Sequence, residues 1–156
     1  MRRTASSVRS RTRRTPPVGR SERVAVDLLF TYGTLMRGFR LHRLLAGRAE
    51  YVGDAQVSGR LVDLGSYPGA LAPSADAGVI RGELYRVGDP ALWGVLDSAE
   101  GPQYHRREVA VRCGDGRERS AYIYWYVAPL DCTVPIPGGD YRAHAPATSI
   151  YHQPSP

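Results

Sequence analysis

Lysine is absent from this 156-residue sequence and cysteine occurs only twice, as Cys113 and Cys132. No apolar run approaches the roughly 20 residues that a membrane-spanning helix needs. Each shortage excludes something. Two cysteines are too few for a disulfide framework, and no C-x-x-C spacing suggests a metal knuckle. His42, His105, His144 and His152 show no ligand spacing either. The expectation is therefore a chain without metal, with reduced thiols, in the cytoplasm. No apolar stretch follows the basic N-terminus, so it does not read as a secretory signal. Arg2 and Arg3 do not make a twin-arginine signal without that stretch. Since all 21 basic residues are arginine, in the N-terminal stretch and elsewhere alike, the missing lysine reads as a compositional bias with no single structural cause.

What is present divides the chain. Residues 1–23 hold eight arginines and one acid, Glu22, whereas the remainder holds thirteen arginines and fourteen acids. The formal charge of +6 thus belongs to the first segment. That segment is polar and rich in Ser, Thr and Pro, and it cannot bury enough apolar area to order itself. It reads either as an arm for nucleic acid or an anionic surface, or as a dispensable tail or over-extended start. The absence of interleaved aromatics for base stacking favours the second reading. The organisation expected is a disordered tail at 1–23, one domain at 24–145 and a flexible tail at 146–156.

Within the domain, VAVDLLFT reads as a buried first strand and YGTLMRG as a turn. FRLHRLLAG carries Phe39, Leu41, Leu44 and Leu45 at helical spacing, with Gly47 as a stop. AEYVG, AQVSGRLVDL and GVIRGELYRV read as short strands, SYPGAL as a turn, and YHRREVAVRC and RSAYIYWYVA as strands joined by DGRE. Asp89 and Pro90 read as the N-cap and first position of a helix whose apolar residues are Leu92, Trp93, Val95 and Leu96 and which Gly101 and Pro102 end. Many strands and two helices predict an α+β fold with a strongly curved or barrel-like sheet of about five to seven strands.

Glu100 is the residue that this pattern leaves unexplained. It falls in the last turn of the helix, where negative charge typically costs ~0.3–1 kcal/mol. It reads either as a solvated surface acid or as a carboxylate held for acid–base work. TYGTL runs from the first strand into a turn, where Gly33 allows close backbone approach or positive φ. The N–H groups of such a turn suit an anion or a carbonyl.

Taken in order, TYGTLM, SYPG, GVIRGELYRV, LDSAEG with YHRREV after it, AYIYWYV and PGGDY resemble the gamma-glutamylcyclotransferase-like family, over Leu28 to Tyr141. The resemblance implies a small mixed barrel with two main helices. It implies that Tyr32, Gly33, Thr34 and Leu35 bind the gamma-glutamyl part of a small-molecule substrate, and that Glu100 is the catalytic acid/base. The substrate's α-amine would attack its own γ-carbonyl and release 5-oxoproline, with no metal, redox cofactor or enzyme nucleophile. A buried carboxylate with a raised pKa suits both proton transfers, and desolvation rather than the helix dipole is expected to raise it. Tyr67 and Pro68 either line the pocket or only make a turn. Tyr122, Tyr124 and Tyr126 share one strand face, and Tyr126 is the pocket candidate among them. Arg106 reads as a surface ion pair before a substrate contact, Asp97 as a local partner, and Arg81 as solvated. The short domain favours a gamma-glutamylamine or a side-chain-linked substrate. The rival readings are a non-catalytic binding module on the same barrel and an amidase that activates water.

Overall fold

The computed structural model describes residues 25–75, 78–131 and 133–145. The expected tails, with Cys132 and His152, lie outside them. Among the described residues, no helix is long and apolar enough to cross a membrane, and no group of three or more His, Cys, Asp or Glu residues is placed to hold a metal ion.

Five strands close into a mixed barrel. β1 (Leu28–Thr31) pairs antiparallel with β4 (Gly78–Val87), and β4 pairs antiparallel with β2 (Ala49–Asp63). β2 meets β5 (Tyr104–Cys113) at Ala55 and Gln56, β5 pairs with β6 (Glu118–Tyr126), and β6 returns to β1 in parallel through Tyr122 and Leu29. β3 (Pro68–Leu71) lies between β2 and β6, and β7 (Val134–Pro135) joins β2. The helices are α1 (Leu92–Glu100) and α2 (Tyr141–His144).

Strand alternation sorts side chains into two cores. Leu28 and Phe30 of β1, with Val57, Ile80, Leu84, Val111 and Ile123, fill one. Leu29 faces the other way and joins Tyr85, Tyr124 and the α1 leucines in the second. Leu92 and Leu96 are fully buried there, worth roughly 1.5–3 kcal/mol each. They hold α1 to the side of the barrel.

Several expectations are corrected. The segment 39–47 is not an α-helix but a run of tight turns with one 3₁₀ turn, His42–Leu44. Its apolar residues do not share a face: Phe39 enters the first core, while Leu41, Leu44 and Leu45 pack on the second. AEYVG and AQVSGRLVDL form one continuous strand, β2, because Gly53 ends a bulge after Tyr51 rather than breaking the chain. SYPGAL contains a strand, β3, which begins at its proline, a position where proline is tolerated. The helix after Asp89 is capped differently. Its N-cap is Ala91, and the Asp89 carboxylate accepts from the Ala91 amide at 3.0 Å across a lead-in turn. Within PGGDY, Asp140 caps α2 by accepting from the amides of Arg142 and Ala143.

One buried acid that the sequence did not single out anchors the segment after the first strand. Glu83 on β4 is 3 % exposed. It accepts from the Arg37 amide at 2.8 Å, Arg37 Nε at 2.7 Å, Tyr85 Oη at 3.3 Å and Arg142 Nη2 at 3.4 Å. It therefore ties the YGTLMR segment and α2 to one strand. Glu83→Gln should lower the unfolding free energy by about 1.5–3 kcal/mol, the range for hydrogen bonds to a charged group, in urea denaturation at neutral pH.

Candidate active site

α1 delivers Glu100 by its spacing. Leu92, Leu96 and Glu100 stand at i, i+4 and i+8, so the carboxylate lies on the stripe that the leucines bury. Gly101, at φ 79°, ends the helix, and its amide closes the last turn on the Asp97 carbonyl at 3.1 Å. Glu100 is half-buried. Burial pushes its carboxyl up from 4.5 to about 7, against a downward pull from the Arg40 charge. Desolvation sets the value, in the direction the sequence led us to expect.

Glu100 lines a cavity of about 240 Å³ at the C-terminal end of β1. Tyr32, Gly33, Thr34 and Leu35 form one wall, and Tyr67 and Pro68 another. The two walls touch at Gly33. A Cβ there would lie 2.5 Å from Pro68 Cγ, so the need for glycine is close approach. Tyr32 is buried and donates its hydroxyl to the Tyr124 carbonyl at 2.6 Å, which fixes where β1 ends relative to β6. The Met36 amide donates to the Gly33 carbonyl at 3.0 Å and closes the turn. Among the described residues, the amides of Gly33, Thr34 and Leu35 have no protein acceptor, which leaves them free to donate to an anion or a developing oxyanion.

Tyrosines complete the cavity, and they are already committed. Tyr104 donates to the Pro68 carbonyl at 2.8 Å, Tyr67 to Gln103 Oε1 at 3.2 Å, and Tyr124 to Asp97 Oδ1 at 2.7 Å. Burial, reinforced by the charge of Glu100, raises Tyr104 far above the ordinary phenol range, so it stays protonated. Burial would raise the Asp97 carboxyl, but hydrogen bonds from Arg106 and Tyr124 outweigh it and hold the group below 3.8. Arg106 forks onto Asp97 at 2.9 and 3.1 Å and lies over the rings of Trp93 and Tyr122, 4.8 Å from each centroid. It is thus an ion pair outside the cavity.

The structure brings together every candidate except Tyr126. That ring stands against Tyr104 at a centroid distance of 5.5 Å, outside the cavity, with its hydroxyl 3.4 Å from the Pro129 carbonyl. Tyr124, two residues earlier on the same face of β6, takes the wall instead. Sequence reasoning missed Arg40, Gln103 and Tyr104, which also line the cavity. Tyr104 had a signal in its place directly after the helix stop; Arg40 had none.

Comparison with known proteins adds a family. The model described as "Gamma-glutamyl cyclotransferase, AIG2-like" matches residues 29–143. A protein of Methanocaldococcus jannaschii named "Putative gamma-glutamylcyclotransferase MJ1514" is 27 % identical over 119 residues, covering 75 % of this chain and 97 % of that one. The crystal structure of YkqA from Bacillus subtilis superposes with a TM-score of 0.63 at 29 % identity, over 76 % of this chain but only 40 % of that longer one. An AIG2-like protein of Mus musculus gives a TM-score of 0.57 at 25 % identity, over 66 % of this chain and 80 % of that one.

Proposed function

The chain belongs to the gamma-glutamyl cyclotransferase, AIG2-like family, and on that premise we propose that the domain at 24–145 converts a gamma-glutamyl compound into 5-oxoproline and a free amine or amino acid. The observation that carries this reading is one cavity holding both a carboxylate raised to about 7 and a turn with three uncommitted amides.

The chemistry follows from the parts. The substrate's α-amine arrives as an ammonium, and Glu100 takes one proton from it. The freed amine attacks the γ-carbonyl and closes a five-membered ring. The turn amides receive the oxyanion or hold the α-carboxylate; one oxyanion donor is typically worth ~2.7–4 kcal/mol. As the tetrahedral centre collapses, the C–N bond to the leaving group breaks, Glu100 returns its proton to the departing nitrogen, and the ring nitrogen gives up its second proton, which leaves with the amine product as its ammonium or passes to water. A group that titrates near the working pH serves in both directions. Holding the substrate curled, with amine against carbonyl, supplies the proximity contribution.

The test is mass-spectrometric detection of products from a panel of gamma-glutamyl amino acids and amines. 5-Oxoproline supports the reading. Free glutamate in its place would mean that water, not the α-amine, attacks. Because Glu100 must be ionised to accept the first proton, kcat/KM should fall about tenfold per pH unit below an apparent pKa near 7. Above it the profile should level off. A profile flat between pH 5 and 8 would remove Glu100 from the proton transfers.

A further inference from the structure

The hydrogen-bond donors of the cavity can be counted by what each already does. The hydroxyls of Tyr32, Tyr67, Tyr104 and Tyr124 are all spent on protein acceptors. Apart from Thr34 and the Gln103 amide, what remains is the fixed set of turn amides at 33–35 and the guanidinium of Arg40. The two differ in kind. The amides sit on buried or half-buried backbone at the end of β1. Arg40 is exposed, on a long flexible stem, and no carboxylate among the described residues pairs with it.

A gamma-glutamyl substrate carries groups that sort the same way. Its α-carboxylate is attached to the carbon that bears the attacking amine, so it must be held rigidly, and the turn amides are the rigid donors. With the α-carboxylate on the turn amides, the leaving group is left for the exposed side of the cavity, where Arg40 stands. If it is an α-amino acid, its carboxylate stands two bonds from the scissile nitrogen, beside Glu100, whose carboxyl already feels the Arg40 charge. A simple amine gives Arg40 nothing to bind. An ε-linked lysine places its carboxylate several bonds further away.

We propose that Arg40 determines specificity by pairing with a leaving-group carboxylate, so that the site selects gamma-glutamyl α-amino acids over gamma-glutamyl amines. This rests on the cyclotransferase reading above and reverses the expectation drawn from the short domain. A carboxylate docked on Arg40 also neutralises the one charge that pulls the Glu100 carboxyl down, leaving the base stronger when the right substrate is bound.

The probes are gamma-glutamylalanine and gamma-glutamylethylamide, which differ only in that carboxylate. Binding of each is measured calorimetrically to the Glu100→Gln full-length chain, with and without Arg40→Gln. Turnover of each is measured in the Glu100 background. The expected preference for gamma-glutamylalanine is about 10- to 100-fold, the range for a charge-assisted hydrogen bond. Arg40→Gln should collapse that ratio to within about threefold, and Arg40→Lys should restore part of it, because a single ammonium replaces a fork. The binding ratio, taken in the Glu100→Gln chain, is free of any effect that Arg40 has on the Glu100 charge, and it cancels any effect on folding, which acts equally on the two compounds. No preference in the parent chain, or equal loss of both compounds in Arg40→Gln, overturns the proposal. 5-Oxoproline formed with a flat preference sinks the role of Arg40 alone. A binding preference without 5-oxoproline sinks the reaction but supports the recognition. Failure of both compounds to bind sinks both.

Discussion

Glu100→Gln should reduce 5-oxoproline formation by about 10³-fold, within the range a positioned acid–base group contributes, and should make the protein more stable at pH 8. The two effects share one cause. The amide keeps the shape of the side chain but neither accepts nor returns a proton. It also removes a charge from an apolar stripe. In the folded chain the Glu100 carboxyl titrates near 7, against an ordinary value of 4.5. Between those two values the folded state holds a proton that the unfolded state has lost, so stability falls as pH rises. The favourable contribution is complete below pH 4.5 and gone above 7. At about 1.36 kcal/mol per pH unit, the wild type gives up about 3 kcal/mol across that window. Gln, which does not titrate, escapes this loss. Urea denaturation at pH 4.5 and at pH 8 reads it directly: the two proteins should be close at the lower pH, with the variant ahead at the higher. A variant that loses activity and stability together at pH 8 would make Glu100 a packing residue, and the site would need another base.

Much of this site is written in the sequence at the scale of single elements. YHRREVAVRC and RSAYIYWYVA alternate, and alternation is what a half-buried strand requires. They pair from Tyr104↔Tyr126 to Arg112↔Glu118. Leu92, Leu96 and Glu100 reveal a carboxylate on a buried stripe to anyone who extends the helical count two turns past Leu92. The losses occur where the outcome depends on a partner distant in the chain. Phe39 and Leu45 look like one helix face, yet they enter different cores, and nothing local distinguishes those cores. Tyr124 and Tyr126 share a face of β6. Packing across the sheet separates them: Tyr124 lines the cavity and Tyr126 stands against Tyr104. Glu83 sits in the strand pattern GVIRGELYRV as an ordinary exposed position; Arg37 and Arg142, 46 and 59 residues away, bury it. Arg40 is silent in the sequence because the group we assign to it belongs to the substrate.

Gly33→Ala should lower kcat/KM by about 10²-fold, the scale expected when reacting groups shift by about 1 Å, and a second substitution should restore it. The missing Cβ would fall 2.5 Å from Pro68 Cγ and 3.0 Å from Pro68 Cδ, so one wall of the cavity must retreat. Either direction does damage. If the turn moves, the amides of 33–35 leave their positions. If Pro68 moves, its carbonyl takes the Tyr104 hydroxyl with it, since the two are joined at 2.8 Å. The strain is specific to the proline ring: its Cβ lies 4.0 Å from the added methyl, an ordinary contact. Pro68→Ala keeps that Cβ and deletes the two clashing carbons. The double variant Gly33→Ala/Pro68→Ala should therefore recover most of the activity that Gly33→Ala loses, giving a strong positive coupling between two residues 35 positions apart. Gly101 provides the contrast. A Cβ there meets nothing within 4 Å, but φ is +79° with ψ −176°, so Gly101→Ala carries local backbone strain of about 1–3 kcal/mol that no change at Pro68 can relieve. If Gly33→Ala behaves like Gly101→Ala, equally impaired with and without Pro68, then the two walls do not depend on each other, and the cavity is shaped by the turn alone.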